Sequence, residues 1–87
     1  MSANEHAKTT AWAEEYNRHL RADDPRLTRA VYVRHQDGST FFFRYAFTIA
    51  TGDYWVVFAE HQRPQIYHIE DVELREYMGV EVQRLDS

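Results

Sequence analysis

Phe41-Phe-Phe-Arg-Tyr-Ala-Phe-Thr-Ile49, then Ala50-Thr-Gly-Asp53, then Tyr54-Trp-Val-Val-Phe58 is the stretch on which the reading of this chain turns. It holds eight of the thirteen aromatic residues. β-Branched and aromatic side chains fit a pleated, half-buried surface, and Gly52 supplies a positive φ for a turn. The stretch therefore reads as the central hairpin of an antiparallel sheet.

Upstream, Leu27 to His35 reads as a strand that returns through Gln36-Asp37-Gly38. A two-residue Asp-Gly turn would set the better apolar face of one strand against the poorer face of the next. A three-residue loop with Gly38 in the left-handed bulge position pairs Val33 with Phe41 and Val31 with Phe43. One residue of slip inverts a whole strand, so facial consistency selects the three-residue loop. The same reasoning at Ala50-Thr51-Gly52 pairs Phe47 with Trp55 and Tyr45 with Val57, and would carry a strand over 39–49 without interruption. Pro64 lacks an N–H and suits the start of an edge strand over Gln65–Ile69.

The flanks read as helices. Trp12, Tyr16 and Leu20 recur at i, i+4, i+8 beside Ala13, an apolar stripe that predicts a helix over about residues 3–21, packed on the sheet. Ser2 and Glu5 have capping-box spacing, and Pro25 disfavours a helical residue before it. Asp71 as N-cap and Gly79 as terminator predict a short helix over about 71–78. Val80 and Val82 alternate with polar residues and allow a brief further strand. The expected architecture is a single α+β domain over 1–87: an N-terminal helix packed on a four-stranded antiparallel β-meander, with a short C-terminal helix.

Composition narrows the function classes. The chain has 87 residues and no cysteine, which excludes disulfides and thiolate metal sites. The first residues, Met1 to His6, lack the basic and apolar regions of a signal peptide, and no run approaches a membrane span. A cytoplasmic protein is expected. Charge is unevenly placed: residues 1–24 carry three basic and five acidic side chains, 25–69 carry five and three, and 70–87 carry two and six. The acidic C-terminal segment would repel nucleic acid, so a nucleic-acid partner is not expected, and neither is a membrane. Gly-rich phosphate loops, nucleophile elbows and His-Glu-x-x-His are absent, so no cofactor, metal or catalytic residue is assigned.

In this register the face opposite the helix carries Tyr32, Arg34, Phe42, Arg44, Tyr54, Phe58, Glu60 and His68. That is too aromatic for a face left in water. Either the C-terminal segment crosses it or another protein does, and a homodimer through this face or an edge strand is the expectation. The candidate binding residues are Tyr32, Phe42, Arg44, Phe58, Glu60 and His68. Arg44, Phe58 and His68 fall in one cross-strand row with Glu60 diagonal, which permits a small-molecule pocket or an acid/base pair. A structural ion pair is the plainer account of the same residues. His35, His61 and His68 are not expected to converge on a metal. The functional expectation is a small non-catalytic interaction or regulatory protein, binding through the aromatic sheet face and the acidic C-terminal segment.

Overall fold

The computed structural model describes residues 2–78, with side chains from residue 4 onward. The elements are α1 (Ser2–Arg18), β1 (Ala30–His35), β2 (Thr40–Arg44), β3 (Ala46–Thr51), β4 (Tyr54–Ala59), β5 (Gln65–His68) and β6 (Val72–Tyr77). Short 3-10 turns at Pro25–Thr28 and Ile69–Asp71 precede β1 and β6. The strands form two three-stranded antiparallel sheets, ordered β2-β1-β6 and β3-β4-β5. The fold is α+β, but the single four-stranded meander divides into two sheets, and the expected C-terminal helix is strand β6.

The first hairpin has the expected register, with Val33 opposite Phe41 and Val31 opposite Phe43. His35 N–H donates to Ser39 C=O at 2.8 Å, Gly38 N–H donates to His35 C=O at 3.0 Å, and Gly38 takes φ +91°. That is the three-residue loop with a left-handed glycine.

Beyond β2 the expected register fails, for a local reason. Tyr45 adopts φ +53°, so the run does not continue flat from 39 to 49 but turns a corner into the second sheet. Side-chain parity inverts there: Phe43 faces the space between the sheets, as does Ala46, whereas Phe47 points to the opposite side of its sheet. The second turn departs as well. Thr51 pairs with Tyr54 across the two residues Gly52 and Asp53, and Gly52 takes φ +56° at the first central position, where a two-residue turn of the type II′ kind uses glycine. Phe47 therefore pairs with Phe58, not Trp55, and Thr48 with Val57.

β6 forms because β1 has a second open side. Pairing runs from Ala30 opposite Tyr77 to His35 opposite Val72. Period-two alternation turns Val72 and Leu74 inward and leaves Glu73 and Arg75 in water, a better partition than the helical register over 71–78 allows. The expected terminator Gly79 and the Val80/Val82 strand lie outside the described residues.

Two cores result, one on each side of the β3-β4-β5 sheet. Under α1, Ala13, Leu27, Phe47, Val56 and Phe58 are buried, with Tyr16, Leu20, Ile49 and Ile66 packed around them. Between the sheets lie Val31, Val33, Ala46, Val57 and Ala59, with Phe43, Tyr67, Val72 and Leu74 against them. The Trp12/Tyr16/Leu20 stripe does pack on a sheet: the Phe58 ring lies 4.9 Å from Tyr16 and 6.0 Å from Trp12. It meets Phe58 and Val56, not the Val31/Val33/Phe43 face that was expected. α1 ends at Arg18, short of residue 21, and Asp24 caps the 3-10 turn whose Leu27 enters the same core.

Phe58→Ala is expected to cost about 3–5 kcal/mol, because it opens a cavity beneath α1 at a fully buried ring. Urea unfolding measures it. A cost below about 1 kcal/mol would mean that this ring lies at the surface, as in the flat-sheet register.

Candidate functional site

The structure divides the expected site. Tyr32, Phe42 and Arg44 stay together on the outer face of the β2-β1-β6 sheet: Tyr32 lies opposite Phe42, and Arg44 opposite Ala30. Phe58 is fully buried in the other sheet, under α1. Glu60 follows the Ala59 end of β4, while His68 pairs with Tyr54 at the other end. Six strand residues separate Glu60 from His68, roughly 20 Å at 3.3 Å per residue. The row Arg44–Phe58–His68 therefore does not exist, and these residues share no pocket. The inversion at Tyr45 separates them.

Each displaced residue has local partners. His68 stacks edge-on against Tyr54 at 5.3 Å, and its Nδ1 accepts from Glu70 N–H at 3.3 Å. Glu60 pairs with exposed His61 at 3.0 Å. His35 sits between Phe41 and Tyr67, each 5.5 Å away, with a buried Nε2 that has no hydrogen-bond partner. Burial also pushes the Tyr67 hydroxyl upward in pKa. Among the described residues no three His, Asp or Glu side chains are grouped to hold a metal ion. No described helix is long and apolar enough to cross a membrane.

What replaces Phe58, Glu60 and His68 comes from β6. Register places Arg75 opposite Tyr32, Glu73 opposite Arg34 and Tyr77 opposite Ala30. The outer face thus reads Arg75–Tyr32–Phe42 across its middle row, flanked by Arg34, Arg44 and Tyr77. The Tyr77 hydroxyl, then Glu73, hold the Arg75 guanidinium above its usual pKa. Phe42 is 41% exposed. No described element packs over this face. Sequence reasoning missed Arg75 and Tyr77 because it placed 71–78 in a helix; the alternation Val72-Glu-Leu-Arg-Glu-Tyr77 was the available signal.

On the inner side Glu76 fastens the two sheets together. It accepts from Arg29 Nη1 at 2.6 Å, from Thr48 N–H at 2.9 Å and from Thr48 Oγ1 at 2.8 Å. Ala46 N–H also donates to Arg29 C=O at 2.8 Å. These bonds occupy the open side of β3 with partners from β6 and from the chain entering β1. Glu76 is a structural carboxylate, since charge-assisted bonds consume its oxygens.

Open clefts flank α1. One, of about 330 Å³, lies between its C-terminal end and the β4–β5 connection, beside Asn17, Arg21, Leu27, His61 and Arg63. Another, of about 460 Å³, is lined by Trp12, Tyr16, His19, Leu20 and Arg26. Their cations are engaged: Arg63 with Glu14 at 2.6 Å, Arg21 with Asp23 at 3.1 Å, and Arg26 with Asp24 at 2.8 Å. Arg26 also lies 4.2 Å over the Phe47 ring, where its planar cation faces the aromatic quadrupole.

Arg26, through its side chain and then its backbone N–H, holds the Asp24 carboxyl down to about 2. A depressed carboxylate stabilises the fold above its unfolded pKa, and that contribution fades as pH falls through the folded value. Asp24→Asn should therefore be less stable than the parent at neutral pH, with the gap closing between about pH 4 and pH 2 in denaturant titrations. A gap independent of pH would refute the ion pair. At the corner, a left-handed φ disfavours any side chain with a Cβ. Tyr45→Gly should exceed Tyr45→Ala in unfolding free energy by about 1 kcal/mol, since both lose the same half-exposed ring and only glycine relieves the backbone. The reverse order would mean that the corner is unstrained. Comparison with protein-family models, with curated proteins and with solved structures finds no match to this chain.

Proposed function

We propose that this is a small non-catalytic protein-interaction module that self-associates, with the aromatic β2 side of the β2-β1-β6 sheet as its docking surface. One observation carries the reading: three aromatics and three arginines share a face with no described element over it. Tyr, Phe and Arg are the residue types enriched at protein interfaces, because large rigid rings and planar cations bury much area at low entropic cost. Phe42 and Tyr32 form the centre, with Arg34 and Arg44 beside them. Residues 70–87 carry two basic and six acidic side chains, a charge opposite to that of these arginines. A catalytic reading has no such support, since Arg44, Glu60 and His68 do not converge.

Phe42→Glu should turn a dimer into a monomer in sedimentation equilibrium while the circular dichroism of the fold stays unchanged. An unchanged mass distribution would refute this surface. Arginines among aromatic rings also suit single-stranded nucleic acid, but the net charge of −4 favours a protein partner. Salt-dependent binding of oligonucleotides by the parent protein, lost in Phe42→Glu, would overturn the protein reading.

A further inference from the structure

Resting on that reading, we infer that the self-association runs through strand addition: β2 of one copy pairs antiparallel with β2 of a second copy, joining two three-stranded sheets into one of six. The sheet edges differ in how they are guarded. The four edge strands are β2, β6, β3 and β5. An edge strand presents unpaired backbone groups, and folded proteins blunt it with charge, proline, shortness or cover. β3 is covered, its open side occupied by Glu76 and by the Arg29 carbonyl. β5 has four residues and follows Pro64. β6 alternates Glu73 and Arg75 into water. β2, Thr40-Phe-Phe-Phe-Arg44, has neither proline nor lysine, and no described element covers it.

The exposure of its rings distinguishes strand addition from docking on one face. Phe42 points to the outer face and is 41% exposed, whereas Phe41 points to the inner side and is 53% exposed. Tyr45, just past the strand, is also 53% exposed. A partner lying on the outer face covers Phe42 and leaves Phe41 wet. A strand laid along the edge passes between the two rings and shields both.

The backbone is arranged for it. His35 and Ser39 form a hydrogen-bonded pair, so bonding and non-bonding pairs alternate from there along the hairpin. The amides of Phe41 and Phe43 therefore turn toward β1, and those of Thr40 and Phe42 turn toward the open edge. A second β2 matches this pattern about a two-fold axis at Phe42. Phe42 then meets its own copy, Phe41 meets Phe43, and Arg44 meets Thr40, so no two arginines are opposed. The middle row becomes Arg75–Tyr32–Phe42–Phe42–Tyr32–Arg75 across the pair, a ladder of cross-strand aromatic contacts. Covering about half of each of four rings of about 200 Å², Phe41 and Phe42 in both copies, buries about 400 Å² before the backbone is counted. That is the size of a weak, concentration-dependent dimer.

The test combines sedimentation with hydrogen exchange on the full chain over a wide concentration range. Strand addition predicts a monomer–dimer equilibrium lost in Phe41→Glu and in Phe42→Glu, and kept in Arg75→Glu, which alters only the far side of the outer face. It also predicts that the Thr40 and Phe42 amides of the parent gain at least tenfold protection as concentration rises, while those of Phe41 and Phe43 are protected throughout. The exchange experiment stands without any variant, so misfolding of Phe41→Glu would not remove the test. Dimerisation lost in Phe42→Glu and Arg75→Glu, with no concentration-dependent protection at Thr40 and Phe42, would overturn strand addition and leave face docking intact. A parent protein that stays monomeric throughout would overturn both.

Discussion

Strand β4 is buried from both sides, and the rest of the molecule is arranged to keep it so. Val56 and Phe58 turn toward α1, Val57 and Ala59 turn toward the β2-β1-β6 sheet, and all four are buried. A strand with apolar residues on alternate and intervening positions cannot lie at the surface of a two-layer protein without wetting one face. Here the layers are helix, sheet and sheet. In a chain this short, three layers around one strand extract two cores from few residues, which matters because small domains bury a low fraction of their surface.

The third layer exists because the chain bends. A single left-handed residue, Tyr45, lets one aromatic run serve two sheets, with Phe43 in the inter-sheet core and Phe47 in the core under α1. Strain of this kind is held only where the surroundings over-determine it. The surroundings are the bonds from Arg29 and Glu76 to Ala46 and Thr48, which fix the chain immediately after the corner. Packing supplies the driving force for closure, and these directional bonds fix its geometry.

The same bend sorts the aromatic residues into two populations. Phe47, Tyr54 and Phe58 are interior, while Phe41, Phe42 and Tyr45 remain in water along one edge and corner. The apolar excess that a flat sheet would leave for a partner is largely absorbed by the protein itself. The remainder is smaller and sharper, an aromatic edge strand beside an arginine-bearing face. Tyr32, Phe42 and Arg44 persist as neighbours because they lie before the corner, where the first hairpin sets the register. Phe58, Glu60 and His68 lie beyond it.

Local chemistry in the chain was enough for the first hairpin, the apolar stripe of α1, the edge strand after Pro64 and the α+β class. In each case a glycine, a proline or a clean period leaves one consistent choice. Tertiary structure alone decided the corner at Tyr45, the two-residue turn at Gly52 and the conversion of 71–78 from helix to strand. A strand apolar on both faces has no parity to read, so the register of β4 follows from what packs on each side. A non-glycine residue at positive φ carries no signature of its own. Residues 72–77 became a strand because β1 offered an open edge, and the residues that supply that edge lie about 37 to 47 positions earlier in the chain.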